Sequence, residues 1–436
     1  MLTTLKNAFK IKDIRNRLLF TLAMLVVIRF GSQLPVPGVN RTYFADWFAA
    51  QSNGAFNFFD AFTGGSFMNM SVFALNITPY ITSSIIMQLL TIAIPKLEEM
   101  QKDGEDGRKK IATITRYVTV GLSLIEAAAM AIGFGNSGLL QKDSVVLDYI
   151  VVIVALTAGS AFVMWIGEQI TEHGVGNGIS IVLTINIVSR MPSDLATLYE
   201  QFVKSASTIT LSVISAVVIM AIIVGMVVLV IILNDGVRRI PVQYAKKIQG
   251  HKTYGGQSTS IPLKINTAGV IPIIFASSIL MLPVTLAQFV HVGWVQALAK
   301  FFGWGTWANT CLPIYNIGLV IYIVLVVFFA YFYTSITFNP LEVSNNIKKQ
   351  GGFIPGIRPG KPTTDYLTGI LNYIIFIGAV GLIIIAVIPF FFNGVFGANV
   401  SFGGTSLIII VSVILETIKQ IESLMLVRNY KGFLNA

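Results

Sequence analysis

Ile209-Thr-Leu-Ser-Val-Ile-Ser-Ala-Val-Val-Ile-Met-Ala-Ile-Ile-Val-Gly-Met-Val-Val-Leu-Val-Ile-Ile-Leu233 is apolar or small throughout and carries no charge. Crossing a bilayer as a helix takes about 20 mostly apolar residues. This stretch reads as a membrane span. Working outward from it, nine further segments meet the same rule: 18–34, 73–94, 112–133, 149–170, 178–192, 266–290, 314–336, 369–392 and 404–424. The fifth in chain order, 178–192, is short. It follows Glu172-His-Gly-Val-Gly-Asn-Gly178, a connection too short to leave the membrane surface.

Composition agrees. The chain has 436 residues, of which 54% are hydrophobic and only 11% charged. An average soluble domain carries roughly 25% charged residues, and a soluble fold of this size needs polar residues to cover its surface. The expected class is an all-α membrane protein. Cys311 is the single cysteine, so no internal disulfide forms. His173, His251 and His291 stand far apart and show no metal-ligand spacing. The charged N-terminus leads into an apolar run that continues through Arg29 to Leu34-Pro-Val-Pro-Gly38 without a small-x-small cleavage site. It is read as a retained first span.

The net charge of +10 is unevenly placed. Lys6, Lys10, Lys12, Arg15 and Arg17 precede the first span, and Lys96, Lys102, Arg108, Lys109 and Lys110 follow the second. Arg238, Arg239, Lys246, Lys247, Lys252 and Lys264 follow the sixth; Lys348, Lys349, Arg358 and Lys361 follow the eighth; Arg428 and Lys431 end the chain. The alternate loops carry only Arg41, Lys142, Arg190, Lys204 and Lys300. Basic loops stay cytoplasmic, so both termini are expected there and the span count is even. Ten transmembrane helices satisfy this. Loops 234–265 and 337–368 are the large cytoplasmic connections.

Residues 54–72 are rich in Phe, but Asn, Asp and Gly interrupt them, so they do not span. They form either an interfacial loop on the outer side or a half-helix folded back into the membrane. The second option requires protein or a wet cavity around it. An internal echo joins Pro79-Tyr-Ile-Thr-Ser-Ser-Ile-Ile-Met87 of the second span to Pro272-Ile-Ile-Phe-Ala-Ser-Ser-Ile-Leu-Met281 of the seventh. The two segments run in opposite directions, as in an inverted repeat, although chance likeness between apolar segments is the competing account. An inverted repeat gives two halves, 1–200 and 201–436, with a pathway between them. Small and hydroxyl residues on these spans suit a contact that opens, and equally suit ordinary close packing.

Catalysis has little to stand on. Gly174-Val-Gly-Asn-Gly178 is neither a dinucleotide nor a Walker loop. No carboxylate pair or nucleophile triad is visible, and no catalytic residue, metal site or cofactor is expected. The chain is read as a non-enzyme. Charges within spans are few: Arg29, Glu126, Glu168, Glu416, Lys419 and Glu422. Such residues are functional candidates by default, but Arg29, Glu168, Lys419 and Glu422 lie near enough to an interface to snorkel. Ile77 and Ile81 lie four apart, as do Ile179 and Leu183, so each pair shares a helix face. By themselves these are packing or lipid-facing residues. A secondary transporter of a small solute is the alternative function, although it calls for a polar midplane site.

An ordered set of motifs resembles the SecY family of bacterial protein-conducting channels. The set comprises Leu34-Pro-Val-Pro-Gly38, Phe62-Thr-Gly-Gly65, Asn76-Ile-Thr-Pro-Tyr-Ile81, Gly104-Glu-Asp-Gly-Arg-Lys-Lys110, Thr171-Glu-His-Gly-Val-Gly-Asn-Gly-Ile-Ser180, Arg238-Arg-Ile-Pro-Val-Gln-Tyr-Ala-Lys246, Ala268-Gly-Val-Ile-Pro272, Asn339-Pro340, Phe353-Ile-Pro-Gly-Ile-Arg-Pro-Gly360 and Gly403-Gly-Thr-Ser406. The resemblance implies ten helices in two inverted five-helix halves around a central pore. It implies an apolar pore ring at Ile77, Ile81, Ile179, Leu183, Ile274 and Ile409. Segment 57–71, with Phe62, Thr63, Gly64 and Gly65, corresponds to the family's plug, and Gln88, Glu126, Ser277 and Ser278 fall in its lateral gate. Arg238, Arg239, Lys246, Lys247, Lys348, Lys349 and Arg358 match the surface where the ribosome, with its RNA, and the SecA motor dock. SecE and SecG are the implied membrane partners, unfolded polypeptides the cargo, membrane lipid the destination of apolar segments, and the bacterial plasma membrane the site.

Overall fold

A computed structural model describes residues 8–40, 44, 60, 63–136, 145–204, 209–244, 247–249, 252–254, 258–289, 293, 317–396 and 404–434. Each of the ten apolar segments is helical. They are α1 (Lys12–Gly31), α2 (Thr78–Ala93), α4 (Glu105–Asn136), α5 (Val145–His173), α6 (Gly178–Leu198), α7 (Ile209–Asp235), α8 (Ile271–Phe289), α9 (Ile317–Thr337), α11 (Lys361–Phe396) and α12 (Gly404–Leu434). Two short polar helices, α3 (Pro95–Lys102) and α10 (Pro340–Lys349), lie in basic connections. Proline opens both, where its missing N–H costs no helical bond. α2 and α3 meet at Ile94 with a bend of 101°.

By length and composition, five helices among the described residues can each cross a membrane, and the bent α2–α3 pair makes a sixth if counted as one span. α7 shows lipid exposure most plainly: Val213, Val217, Met220, Val224, Val228 and Ile231 lie exposed along one face. Buried apolar residues instead gather where helices meet. One core, around Phe67, Met70, Leu75, Met130, Phe134 and Leu156, fills the space between α4 and α5. Another, around Ile85, Ile273, Ala276, Tyr322, Phe329 and Leu382, joins α2 to α8, α9 and α11.

α6 is longer than expected. It continues past Arg190 and Pro192 to Leu198 and ends in a π turn, Tyr199–Lys204. Proline removes one backbone donor, and packing elsewhere on a helix can outweigh that loss. α2 is shorter than expected, because residues 64–77 are turns. Met70 and Asn76 adopt left-handed φ values of 42° and 50°. The Asn76 carboxamide oxygen accepts from the Ile77 N–H at 2.8 Å, so the side chain supplies the turn's missing acceptor.

The connection 234–265 holds strands, which the helical reading does not foresee. β1 (Val237–Tyr244) and β4 (Ser258–Lys264) pair antiparallel from Val237↔Lys264 to Gln243↔Ser258. The short strands β2 (Lys247–Gln249) and β3 (Lys252–Tyr254) pair within the hairpin. β5 (Gly352–Phe353) adds to the other edge of β1, giving the order β4-β1-β5. Ile240, Val242 and Leu263 point down onto Ile347, Leu367, Ile370 and Ile374 of α10 and α11. Polar bonds tie the hairpin's base to the bundle: Asn266 donates to Asn234 (3.0 Å), Asn234 donates to Ser412 (2.7 Å), and Lys419 pairs with Asp235 at 2.7 Å.

Candidate functional site

The start of α6 is fixed by short polar bonds. Asn177 caps it, its side-chain oxygen accepting from the N–H groups of Ile179 (3.1 Å) and Ser180 (3.4 Å). The Thr171 hydroxyl accepts from the Gly178 N–H at 2.9 Å and donates to the Gly167 carbonyl at 2.9 Å. A Cβ on Gly178 would stand 1.9 Å from that carbonyl, so only glycine lets α5 and α6 come this close. The consequence is a fixed aim for Ile179 and Leu183, which pack with Ile77 and Ile81.

Ile274 and Ile409 pack together in a second patch with Ile187, Ile410 and Val413. The six ring positions therefore form a group of four and a group of two. Ile181 borders both groups. Ile81 also packs against the α2–α8 core. All six side chains are aliphatic and offer neither hydrogen bond nor charge.

Residues 63–77 lie beside the group of four. Thr63, Ser66, Phe67, Met70 and Ser71 are buried, which excludes an exposed interfacial loop for this part. Phe62 lies outside the described residues, as does most of 54–62. Gly64 and Gly65 both have positive φ, 68° and 83°. Thr63 donates to the Asp60 carbonyl (3.1 Å), and the Met68 N–H donates to the Asp60 carboxylate (2.7 Å). Phe67 stacks edge-on with Phe44 at a centroid distance of 5.9 Å, and Phe44 does the same with Phe134 at 5.0 Å.

Several residues here are ones the sequence leaves unassigned. Arg29, which the sequence places near an interface, donates to the Gly64 carbonyl at 3.3 Å. Ser189 reaches the same carbonyl at 3.5 Å. Arg190, counted in sequence as a loop residue, forms an ion pair with Asp60. Asn186, one turn earlier on α6, is fully buried and backs onto Gly64. For Arg29, Asp60 and Arg190 the signal in sequence is a scarce charge in otherwise apolar surroundings; Asn186 and Ser189 carry none.

Where α2 passes α8 the contact is apolar. Ile81, Ile85 and Leu89, four apart on one face, pack with Ile273, Ala276 and Leu280. The expected polar members lie around this seam. Gln88 is exposed, Ser278 is half-buried, and Ser277 is buried beside the Tyr322 hydroxyl. Glu126 is half-buried on α4, which also touches α8. Ser83 turns the other way and shares a short hydrogen bond with Thr119 of α4. Glu168 does not stand alone: its carboxylate accepts from Arg116 at 2.7 Å.

The basic positions share one unit. Arg238 and Arg239 are exposed on β1: Arg239 faces away from the inward Ile240 and Val242, and Arg238 lies in the fully exposed start of the strand, before the alternation begins. Lys348 and Lys349 are exposed at the end of α10, and Arg358 is exposed in the loop after β5. Lys247 begins β2, and Lys246 lies outside the described residues.

Comparisons with known proteins fit this layout. The family model described as SecY matches residues 71–418. The protein translocase subunit SecY of Bacillus subtilis (strain 168) is 44% identical over 445 residues, covering 100% of both chains. A solved SecY structure, described in terms of a plug domain that stabilises the closed state and maintains a membrane seal, aligns with a TM-score of 0.62 at 16% identity. It covers 94% of this chain and 92% of that one. Sec61 in a canine ribosome–channel complex aligns with a TM-score of 0.61 at 16% identity, covering 94% and 92%.

Proposed function

The chain belongs to the SecY family of protein translocase subunits, and from that premise we propose how its residues carry out protein conduction. It is a protein-conducting channel. Unfolded polypeptides cross through a pore lined at its waist by Ile77, Ile81, Ile179, Leu183, Ile274 and Ile409. The observation that carries this reading is the adjacency of two aliphatic patches, one built from the first half of the chain beside the buried turns of 63–77, the other where Ile187 of α6 meets Ile274 and Ile409 of the second half. A narrow aliphatic waist dewets and resists ion leakage. It also yields around side chains of different size.

Segment 57–71 serves as the plug. The halves 1–200 and 201–436 are related as an inverted repeat, ten spans cross the bacterial plasma membrane, and both termini lie in the cytoplasm. The α2–α8 seam is the lateral gate. A charge at the bilayer centre costs roughly 2.5–3.5 kcal/mol on the insertion scale, while Leu or Ile is slightly favourable. A polar segment therefore stays in the wet path, and an apolar segment of about 20 residues partitions sideways once the seam parts. The exposed cations on the β1 hairpin and after α10 receive the ribosome, whose RNA phosphates suit them, and the SecA motor. SecE and SecG accompany the subunit in the membrane. Energy comes from the partner, and this chain performs no catalysis of its own.

The test is depletion of the protein in its host while following a pulse-labelled secretory precursor. Uncleaved precursor is expected to accumulate in the cytoplasm. Normal export combined with loss of uptake of a small solute would overturn the reading in favour of a transporter.

A further inference from the structure

Two helices converge on a single turn of the plug segment. From α6, Arg190 pairs with the Asp60 carboxylate and Ser189 donates to the Gly64 carbonyl. From α1, Arg29 donates to that same carbonyl at 3.3 Å. Asp60 has no solvent exposure and the Arg190 side chain keeps only 16%. Arg190 also stands 3.8 Å from Asp194, one turn further along α6. The two oxygens of Asp60 are divided between two tasks. Oδ1 accepts from the Met68 N–H at 2.7 Å and so folds the turn, while Oδ2 faces Arg190.

We propose that the Asp60–Arg190 ion pair, backed by Arg29 on the Gly64 carbonyl, is a latch that holds the plug segment in its closed seat. This rests on the reading of 57–71 as a plug. A bare apolar seat would hold the segment by packing alone. A buried pair adds a strong dependence on the closed geometry, because its attraction grows as water is excluded. Once the turn lifts away, both charges rehydrate and the attraction collapses. That rehydration offsets part of the attraction, so the latch shows most strongly when one partner is removed and the other charge is left buried. Arg190 is a positioning residue for the seal and touches no cargo in the closed channel.

The chemistry separates the latch from the turn. Asp60→Asn keeps an oxygen for the Met68 N–H and removes only the charge. Arg190→Gln leaves the Asp60 carboxylate buried without its main partner, the costlier error. In planar bilayers holding the purified channel complex without precursor, Arg190→Gln is expected to raise opening frequency roughly tenfold or more, and Asp60→Asn less. The double variant should open less often than the product of the two single effects, because both remove one interaction. Arg190→Lys, which keeps the charge, should seal close to the parent. Single variants as tight as the parent, independent effects in the double variant, or a lysine variant as leaky as the glutamine one would each overturn the latch. Deletion of residues 57–65 separates the two levels. A leaky deletion with tight single variants leaves the plug and removes the latch; a tight deletion removes both.

Discussion

Replacing Gly64 with alanine adds one methyl group at the point where the plug segment meets α6. Gly64 has φ +68°, and a Cβ there would stand 2.7 Å from the Asn186 carbonyl oxygen and 2.8 Å from the Asn186 Cα. Both are backbone atoms of a helix, so neither can turn aside. The left-handed conformation costs alanine about 1–2 kcal/mol, and overpacking costs about 1–3 kcal/mol more, roughly 2–5 kcal/mol together. That cost belongs to the closed state where lifting the segment both removes the clash and frees the turn to leave the left-handed conformation. At about 1.4 kcal/mol per factor of ten, the closed-to-open ratio falls by about 30-fold or more. Gly65 is the internal control. Its φ is +83°, but the nearest atom to a Cβ is Asn69 Nδ2 at 3.9 Å. Gly65→Ala should therefore show only the conformational cost of about 1–2 kcal/mol. Ion leak through the purified channel complex in proteoliposomes measures both. The reasoning is refuted if Gly64→Ala seals as tightly as the parent, or if Gly65→Ala leaks as much as Gly64→Ala.

Three further outcomes follow from the same geometry. Ile274→Asn places a polar group in the smaller aliphatic patch and should pass precursors with defective signals that the parent rejects, scored by export in cells. Cysteines at Ile85 and Ala276, in a Cys311→Ser background, should be joined by a short bifunctional crosslinker across the α2–α8 seam, and the joined channel should stop releasing apolar segments into lipid. Arg238→Glu with Arg239→Glu should weaken ribosome binding and reduce its salt slope by about one for each phosphate no longer neutralised, measured by co-sedimentation across a salt series.

The helices were legible because hydropathy in a membrane protein speaks directly for burial in lipid; each apolar segment is a helix. The end of α6 was not legible. Arg190 and Pro192 look like a boundary, yet Asp60 neutralises the first and the helix absorbs the second. The β1 hairpin left a trace in the alternation of Arg239, Ile240, Pro241 and Val242, which a helical expectation passes over. Of the ring, the shared faces of Ile77 with Ile81 and Ile179 with Leu183 are visible in spacing, whereas their meeting is a tertiary fact. At the seam, the family resemblance points to Gln88, Ser277 and Ser278. The packed face instead falls on Ile81, Ile85 and Leu89. The Asp60–Arg190 pair joins residues remote in sequence, and no local pattern announces it.

The three-stranded sheet also has a mechanical meaning. β1 grows straight out of α7, β4 returns toward α8 with the Ile265 N–H bonded to the Gly236 carbonyl at 2.8 Å, and β5 stands between α10 and α11. The bonds from Asn234 and Asp235 to Ser412 and Lys419 bring α12 to the same footing. The hairpin is thus a tiller with a rigid shaft. Force applied at its far end, where β2 pairs with β3, is carried down β1 and β4 to the roots of α7 and α8, with α12 tied to the same footing, and α8 and α12 carry Ile274 and Ile409. Under the proposed function, a partner gripping the tip shifts the waist of the pore without reaching into it.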